Sequence, residues 1–430
     1  MRRRILRFLN KTLTSPLCFL ISLADGVIHG FNNERGRKRN YRKILAIKIA
    51  GMGDAILMLP ALKMLKDKFP NASISVLATP ATKVIFEGDT TFDEVIVYDI
   101  LSKDAGIIKF IKFIELLRKK KFDLVIDMEQ YIVFTTILGY LTGAKERIGF
   151  DKGKTYNLLT RKIPFNRNQH MTENFADLVR CTGINIPIKH LERVWFSEED
   201  KENIDKLLLQ KGINDEQFLI GIHATSHKEI DCRRWMKERF AIVADNLIRD
   251  YKAKVIFTGG PTESDKVAEI VDLMKEKPIS VAGKTSVKEL IALVDKLDLV
   301  LCNDTGISHI AAAMNTRAVV LFGPESPRRY RPFGDIHIPI YKNVDCSPCI
   351  HVHLGDISFN SCPDKEHPKC MDLITVGEVM DAMDKQIEEI KKRKGGFLMV
   401  KSSMFKRNRI QQHKELSQKV KNMEVIALRS

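Results

Sequence analysis

Lys43-Ile44-Leu45-Ala46-Ile47-Lys48-Ile49-Ala50-Gly51-Met52-Gly53-Asp54-Ala55-Ile56 reads in three parts. The apolar run over residues 44–49 predicts a strand buried on both faces, as a parallel sheet covered by helices requires. Gly51 and Gly53 permit a tight turn, positive φ and close approach of a ligand. A helix follows, with Asp54 expected at or near its N-cap. Ligands of open α/β sheets bind at this carboxyl edge. Asp54 therefore reads either as a helix cap or as a functional carboxylate.

Outward from this stretch, short apolar runs alternate with helical periodicity. Strands are expected at 73–78, 94–98 and 124–128, and helices at 55–69 (broken early by Pro60), 106–120 and 131–140. A charged helix over 197–212 reads as a connector. A second alternation then begins, with strands at 218–223, 254–258, 279–281, 299–302 and 318–322. Helices fall between them at 237–249, 264–275, 287–297 and 308–314. The fold class is thus α/β, with two Rossmann-like, doubly wound parallel-sheet domains facing a central cleft. The expected organisation is a first domain over 41–190, a linker over 191–216, and a second domain over 217–394. A cysteine-rich insertion at 346–370 interrupts the second domain. Residues 375–394 have helical apolar spacing and are expected to pack back across the domains.

Totals narrow the partners. The chain has 430 residues, 44% hydrophobic and 29% charged, with a net charge of +16. Such a balance calls for an anionic partner. Few aromatics accompany the basic residues and no nucleic-acid motif is visible, so no nucleic acid is expected. Phosphorylated ligands and acidic membranes remain. Residues 1–40 place Arg2, Arg3, Arg4, Arg7 and Lys11 before an apolar run interrupted by Pro16 and Asp25. The run is too short to span a bilayer and reads as an interfacial segment or as a terminal helix docked on the protein. Residues 395–430 read as a basic, flexible tail.

Four loops after strands of the second half carry phosphate-binding chemistry. His223-Ala224-Thr225-Ser226 with Arg233-Arg234-Trp235 offers hydroxyls and bidentate guanidinium donors. In Thr258-Gly259-Gly260-Pro261-Thr262-Glu263, two glycines open space and Glu263 can accept from ribose hydroxyls or simply favour a helix start. Ala282-Gly283-Lys284-Thr285-Ser286 ends like a P-loop, but Pro278 stands where its first glycine belongs. Thr285 then lines the base or ribose. Asn303-Asp304-Thr305-Gly306-Ile307-Ser308-His309 sets N–H groups, a hydroxyl and a glycine at a helix N-terminus, which suits a pyrophosphate.

Taken in order, these loops and Gly51-Met52-Gly53-Asp54 with Pro60 resemble glycosyltransferase family 9, the bacterial ADP-heptose:lipopolysaccharide heptosyltransferases. The resemblance spans roughly residues 43–335. It implies a GT-B fold, with acceptor on the first domain and nucleotide-sugar on the second. It also implies inverting transfer that needs no metal or other cofactor. By the resemblance Asp54 is the general base, beside the acceptor-side glycines Gly51 and Gly53. Thr225, Ser226, Arg233 (where the family often has lysine), Glu263, Thr285, Asp304, Thr305, Gly306 and His309 are donor-binding. The partners implied are ADP-heptose, an anionic glycolipid acceptor and the inner face of the cytoplasmic membrane.

The basic run from Arg118 to Arg167 is then either an acceptor surface or an ordinary solvated face. Cys346, Cys349, Cys362 and Cys370, interleaved with His351, His353 and His367, have the spacing of a zinc site or a disulfide clip. A two-domain nucleotide-sugar epimerase and an inactive sugar-nucleotide or glycan-binding protein are the competing functions. An epimerase converts donor alone, and a binding protein turns nothing over.

Overall fold

The computed structural model describes residues 40–99, 106–153, 155–214, 217–226, 231–350, 362 and 368–393. The expectations for residues 1–39 and 395–430, and for His351, His353 and His367, lie outside them.

The opening stretch forms β1 (Lys43–Ile47), whose Ile44, Leu45, Ala46 and Ile47 are all fully buried. It is joined by β2 (Ser73–Ala78), β3 (Glu94–Val97), β4 (Leu124–Asp127), β5 (Glu146–Phe150) and β6 (Arg161–Ile163). Their order is β3-β2-β1-β4-β5-β6, all parallel. The chain winds outward from β1 to β3 and then returns to lay β4 beside β1, with Ile47 opposite Asp127. The β1/β4 boundary is therefore the switch point at which α/β sheets open a crevice. Helices α1 (Met52–Leu57), α2 (Leu59–Lys68), α3 (Lys83–Phe86), α4 (Ile107–Lys120), α5 (Val133–Leu141) and α6 (Met171–Arg180) accompany these strands.

The helix expected over 55–69 is two helices that meet at Met58. Pro60 sits in the first turn of α2, where a missing N–H costs nothing. Strands β5 and β6 were not expected, because Glu146, Arg147, Arg161 and Lys162 give the segment a polar spelling. In the structure Glu146 is buried and pairs with Arg161 at 2.8 Å.

Helix α7 (Glu198–Gln210) forms where a charged helix was expected and is closed at its start by a reciprocal cap between Ser197 and Asp200. The second sheet comprises β7 (Leu219–His223), β8 (Lys254–Phe257), β9 (Ile279–Ser280), β10 (Leu299–Asn303), β11 (Arg317–Phe322) and β12 (Ile338–Tyr341). It repeats the logic of the first, in the order β12-β11-β10-β7-β8-β9. Its switch point is β7/β10. Pro339 is tolerated in β12 because that strand lies on the edge. The accompanying helices are α8 (Lys237–Tyr251), α9 (Ser264–Asp272), α10 (Val287–Lys296), α11 (Gly306–Ala313), α12 (Pro327–Tyr330) and α13 (Lys369–Asp372).

Residues up to Ile374 form one unit and Thr375 opens another. In the second unit Thr375 and Glu378 cap α14 (Val376–Arg393) reciprocally. No helix among the described residues is long and apolar enough to cross a membrane.

Candidate active site

The loop after β1 turns on Gly51, which caps α1 with φ of 81°. Asp54 stands near the N-cap, as expected, in the first helical turn, and does not itself cap the helix. Its carboxylate is engaged elsewhere. Lys48 Nζ lies 3.2 Å from Asp54 Oδ2, and Gln130 Nε2 donates to the same oxygen at 3.1 Å. Lys48 also donates to Glu129 Oε2 at 3.0 Å, and both of those side chains are fully buried. Glu129 Oε1 accepts the backbone N–H groups of Ile49 and Ala50 at 2.8 and 2.7 Å. Burial works against the Lys48 charge, yet Glu129 and Asp54 more than offset it and hold the ammonium above the ordinary lysine range. Burial pushes the Glu129 carboxyl up, with Lys48 pulling against it.

Neither Lys48, Glu129 nor Gln130 was singled out from sequence. The signal was a lysine inside an apolar strand, but its partners Glu129 and Gln130 lie about 80 residues away. Only the β1/β4 adjacency brings them together.

Across from this loop stands the N-terminus of α11. Asp304 is buried, and Arg233 Nη1 lies 3.3 Å from its Oδ2 and donates to its carbonyl at 3.2 Å. Burial pushes the Asp304 carboxyl up; Arg233 lowers it and the nearby Asp54 raises it further. Thr305 precedes the first helical turn without a side-chain cap, and a Cβ on Gly306 would meet nothing within 4 Å. Three buried polar atoms here make no hydrogen bond: Arg233 Nε, Asp304 Oδ2 and His309 Nδ1. Buried polar groups are nearly always satisfied, so such a cluster marks where a polar ligand would complete the set.

His309 is driven down to about 3, first by burial and then by His170, Arg233 and His337. Its imidazole is neutral at working pH and offers hydrogen bonds rather than charge. A Cβ built on Gly53 would lie 2.6 Å from His309 Cδ2, so the carboxyl edges of the two sheets meet at this point. Gly53→Ala must displace that ring or part the two loops. We expect a roughly tenfold loss of turnover rate. The Gly53→Ala/His309→Ala double variant should be no slower than His309→Ala alone, as steady-state rates of the three variants would show.

The other loops singled out in the second half of the sequence follow the same edge. Thr225 is buried, with its hydroxyl 3.4 Å from His223 Nε2, and His223 Nδ1 meets Thr258 Oγ1 at 3.0 Å. Ser226 is buried beside it. Asn303 ties these loops to α11 by donating to the Ala224 carbonyl at 3.0 Å and accepting from Trp235 N at 3.1 Å. Glu263 uses Oε2 to accept from Gly260 N at 2.7 Å. Thr285 is half-buried on the neighbouring loop, whose Gly283 N donates to the Gly259 carbonyl at 2.9 Å. The structure thus brings Gly53, Asp54, Arg233, Asp304 and His309 together, and sets Thr225, Glu263 and Thr285 farther along the edge.

The basic run is partly internal. Lys152 pairs with buried Asp127 at 2.6 Å, and Arg147 donates to the carbonyls of Ala144 and Leu158. Among the described residues no group of three or more His, Cys, Asp or Glu is set to hold a metal ion. Cys346, Cys349 and Cys370 are thiols, not disulfides. Burial pushes Cys349 up to about 11 and Cys370 up to about 12.

A family model described as glycosyltransferase family 9 (heptosyltransferase) matches residues 110–354. Lipopolysaccharide heptosyltransferase 3 of Escherichia coli is 28% identical over 297 residues, which cover 66% of this chain and 84% of that protein. The chain is similar in structure to the glycosyl transferase family 9 protein of Veillonella parvula DSM 2008, with a TM-score of 0.69 and 25% identity over 82% of this chain and 99% of that one. The E. coli heptosyltransferase WaaC with ADP is similar in fold, with a TM-score of 0.60 and 17% identity over 80% and 99% of the two chains.

Proposed function

The chain belongs to glycosyltransferase family 9, the heptosyltransferase family, and from that premise we propose that it moves a heptose from ADP-heptose to a lipopolysaccharide core or similar glycolipid. The transfer is inverting and independent of metal. Asp54 takes the proton of the acceptor hydroxyl as its oxygen bonds to the anomeric carbon. The anomeric carbon–oxygen bond to the diphosphate breaks on the opposite face, and ADP departs with that electron pair. Arg233 and the first-turn N–H groups of α11 supply the positive potential that the leaving diphosphate needs. Neutral His309 and Asp304 orient the sugar, Thr225 and Ser226 hold phosphate oxygens, and Glu263 and Thr285 meet the nucleoside.

One observation carries this reading. The GT-B pair of sheets sets a carboxylate on the first switch point against unsatisfied buried polar atoms on the second. The likeness to a heptosyltransferase with ADP supports adenine as the base, and the lipopolysaccharide relative supports the acceptor class. An acceptor of that class sits in a membrane, which supports a peripheral position on its cytoplasmic face.

The purified enzyme, given ADP-, UDP- and GDP-sugars with and without a Kdo–lipid A acceptor, should consume ADP-heptose only when acceptor is present. Conversion of the nucleotide-sugar alone would indicate an epimerase, and binding without turnover would indicate an inactive site.

A further inference from the structure

Large apolar side chains scattered singly over a surface need no explanation, whereas a contiguous group of them does. Among the described residues ten such side chains are exposed, and three fall within five positions of α4. Ile107 is 71% exposed, Ile108 68% and Ile111 50%. Its packing is made farther along the helix. Phe113, Ile114 and Leu117 are buried there, and the Phe113 ring stacks on Tyr98 at 4.0 Å. The isoleucines are therefore surplus to the core. Lys109 and Lys112 are exposed among them and Lys119 follows two turns on, while Glu115 is the only carboxylate of the helix.

Topology places this patch. β3 is parallel to β1, so α4, which follows β3, starts at the same carboxyl edge as the Gly51–Asp54 loop. Ile107, Ile108 and Ile111 occupy that end of the helix.

We propose that the N-terminal half of α4 is a docking face for an anionic bilayer. The isoleucines enter the headgroup boundary, and the lysines extend along the surface to meet lipid phosphates. Charge complementarity chooses the occupant, because the isoleucine end, residues 107–112, carries Lys109 and Lys112 and no carboxylate, which suits an anionic surface better than a second copy of this basic chain. Docking here brings the β1 edge, and with it Asp54, to the side from which a membrane-held acceptor arrives. The docking face is built from α4 alone, so vesicle binding and sugar transfer can fail separately.

Flotation of the full chain with vesicles of phosphatidylcholine, with and without phosphatidylglycerol, tests it. The wild-type chain should bind the anionic vesicles. Ile107→Ser/Ile108→Ser/Ile111→Ser should lower the partition constant by about tenfold or more. Lys109→Gln/Lys112→Gln should lower it by about tenfold on anionic vesicles and leave neutral ones unaffected. Leu209→Ser/Leu273→Ser, at exposed apolar positions elsewhere, should change nothing. All variants should keep wild-type turnover on a delipidated, water-soluble acceptor, which shows that the fold is intact. Wild-type binding by the α4 variants overturns the proposal, and so does failure of the parent chain to bind. Conversion of a dimer to a monomer by the isoleucine variant, with vesicle binding retained, would assign the face to a second copy instead.

Discussion

In the Asp54→Asn variant, sugar transfer should fall by about a thousandfold while the fold and donor binding persist. The amide keeps the shape of the carboxylate and can still accept a hydrogen bond from Lys48 or Gln130, the two donors that hold Asp54 Oδ2 now. What it cannot do is take a proton from the incoming hydroxyl. Stability should change little, because Glu129 stays opposite Lys48 and the buried ammonium keeps a counter-ion. The loops proposed to hold the donor lie on the other sheet and are untouched. Steady-state turnover, donor titration calorimetry and a thermal melt separate these terms. A rate within tenfold of wild type would remove Asp54 from the role of base. An unchanged rate at saturating donor with weakened donor affinity would leave it a binding role only.

How much of this could be read from the sequence followed from burial. β1, β4, β7 and β10 are central strands, apolar along their length because helices cover both faces, and each was legible as a run. β5, β6 and β12 were not. They lie toward the sheet edges, where polar residues such as Arg161 or a proline such as Pro339 are compatible with a strand. The loops proposed to hold the donor were visible as glycines and hydroxyls directly after apolar runs. Asn303 was visible in its motif, but its bracing of Ala224 and Trp235 depends on β10 lying beside β7. The supports of Asp54 were hidden for the same reason. Sequence supplies the charged residues, but strand order decides which of them meet. The basic run shows the converse, since Lys152 and Arg147 look like surface charge in the sequence and are spent on internal contacts.

Replacing Lys48 should be the most destabilising single change near the site. Lys48→Met removes the ammonium that Glu129 and Asp54 share, and leaves two carboxylates close together with Glu129 wholly out of water. Breaking a buried ion pair in this way costs about 3–5 kcal/mol. The backbone N–H groups of Ile49 and Ala50 still reach Glu129 Oε1, which favours the lower end of that range. Adding Glu129→Gln removes the stranded charge while keeping an acceptor for those N–H groups. The double variant should therefore recover part of the loss, with a coupling energy of about 1–3 kcal/mol in a four-variant urea-unfolding cycle. Catalysis should not recover with it. Asp54 would then be held by Gln130 alone, and the turnover rate should stay at least about tenfold below wild type. A Lys48→Met cost under about 1 kcal/mol would mean that water or a side-chain rotation reaches these carboxylates. Full recovery of turnover in the double variant would mean that the ammonium stabilises the fold without positioning the base.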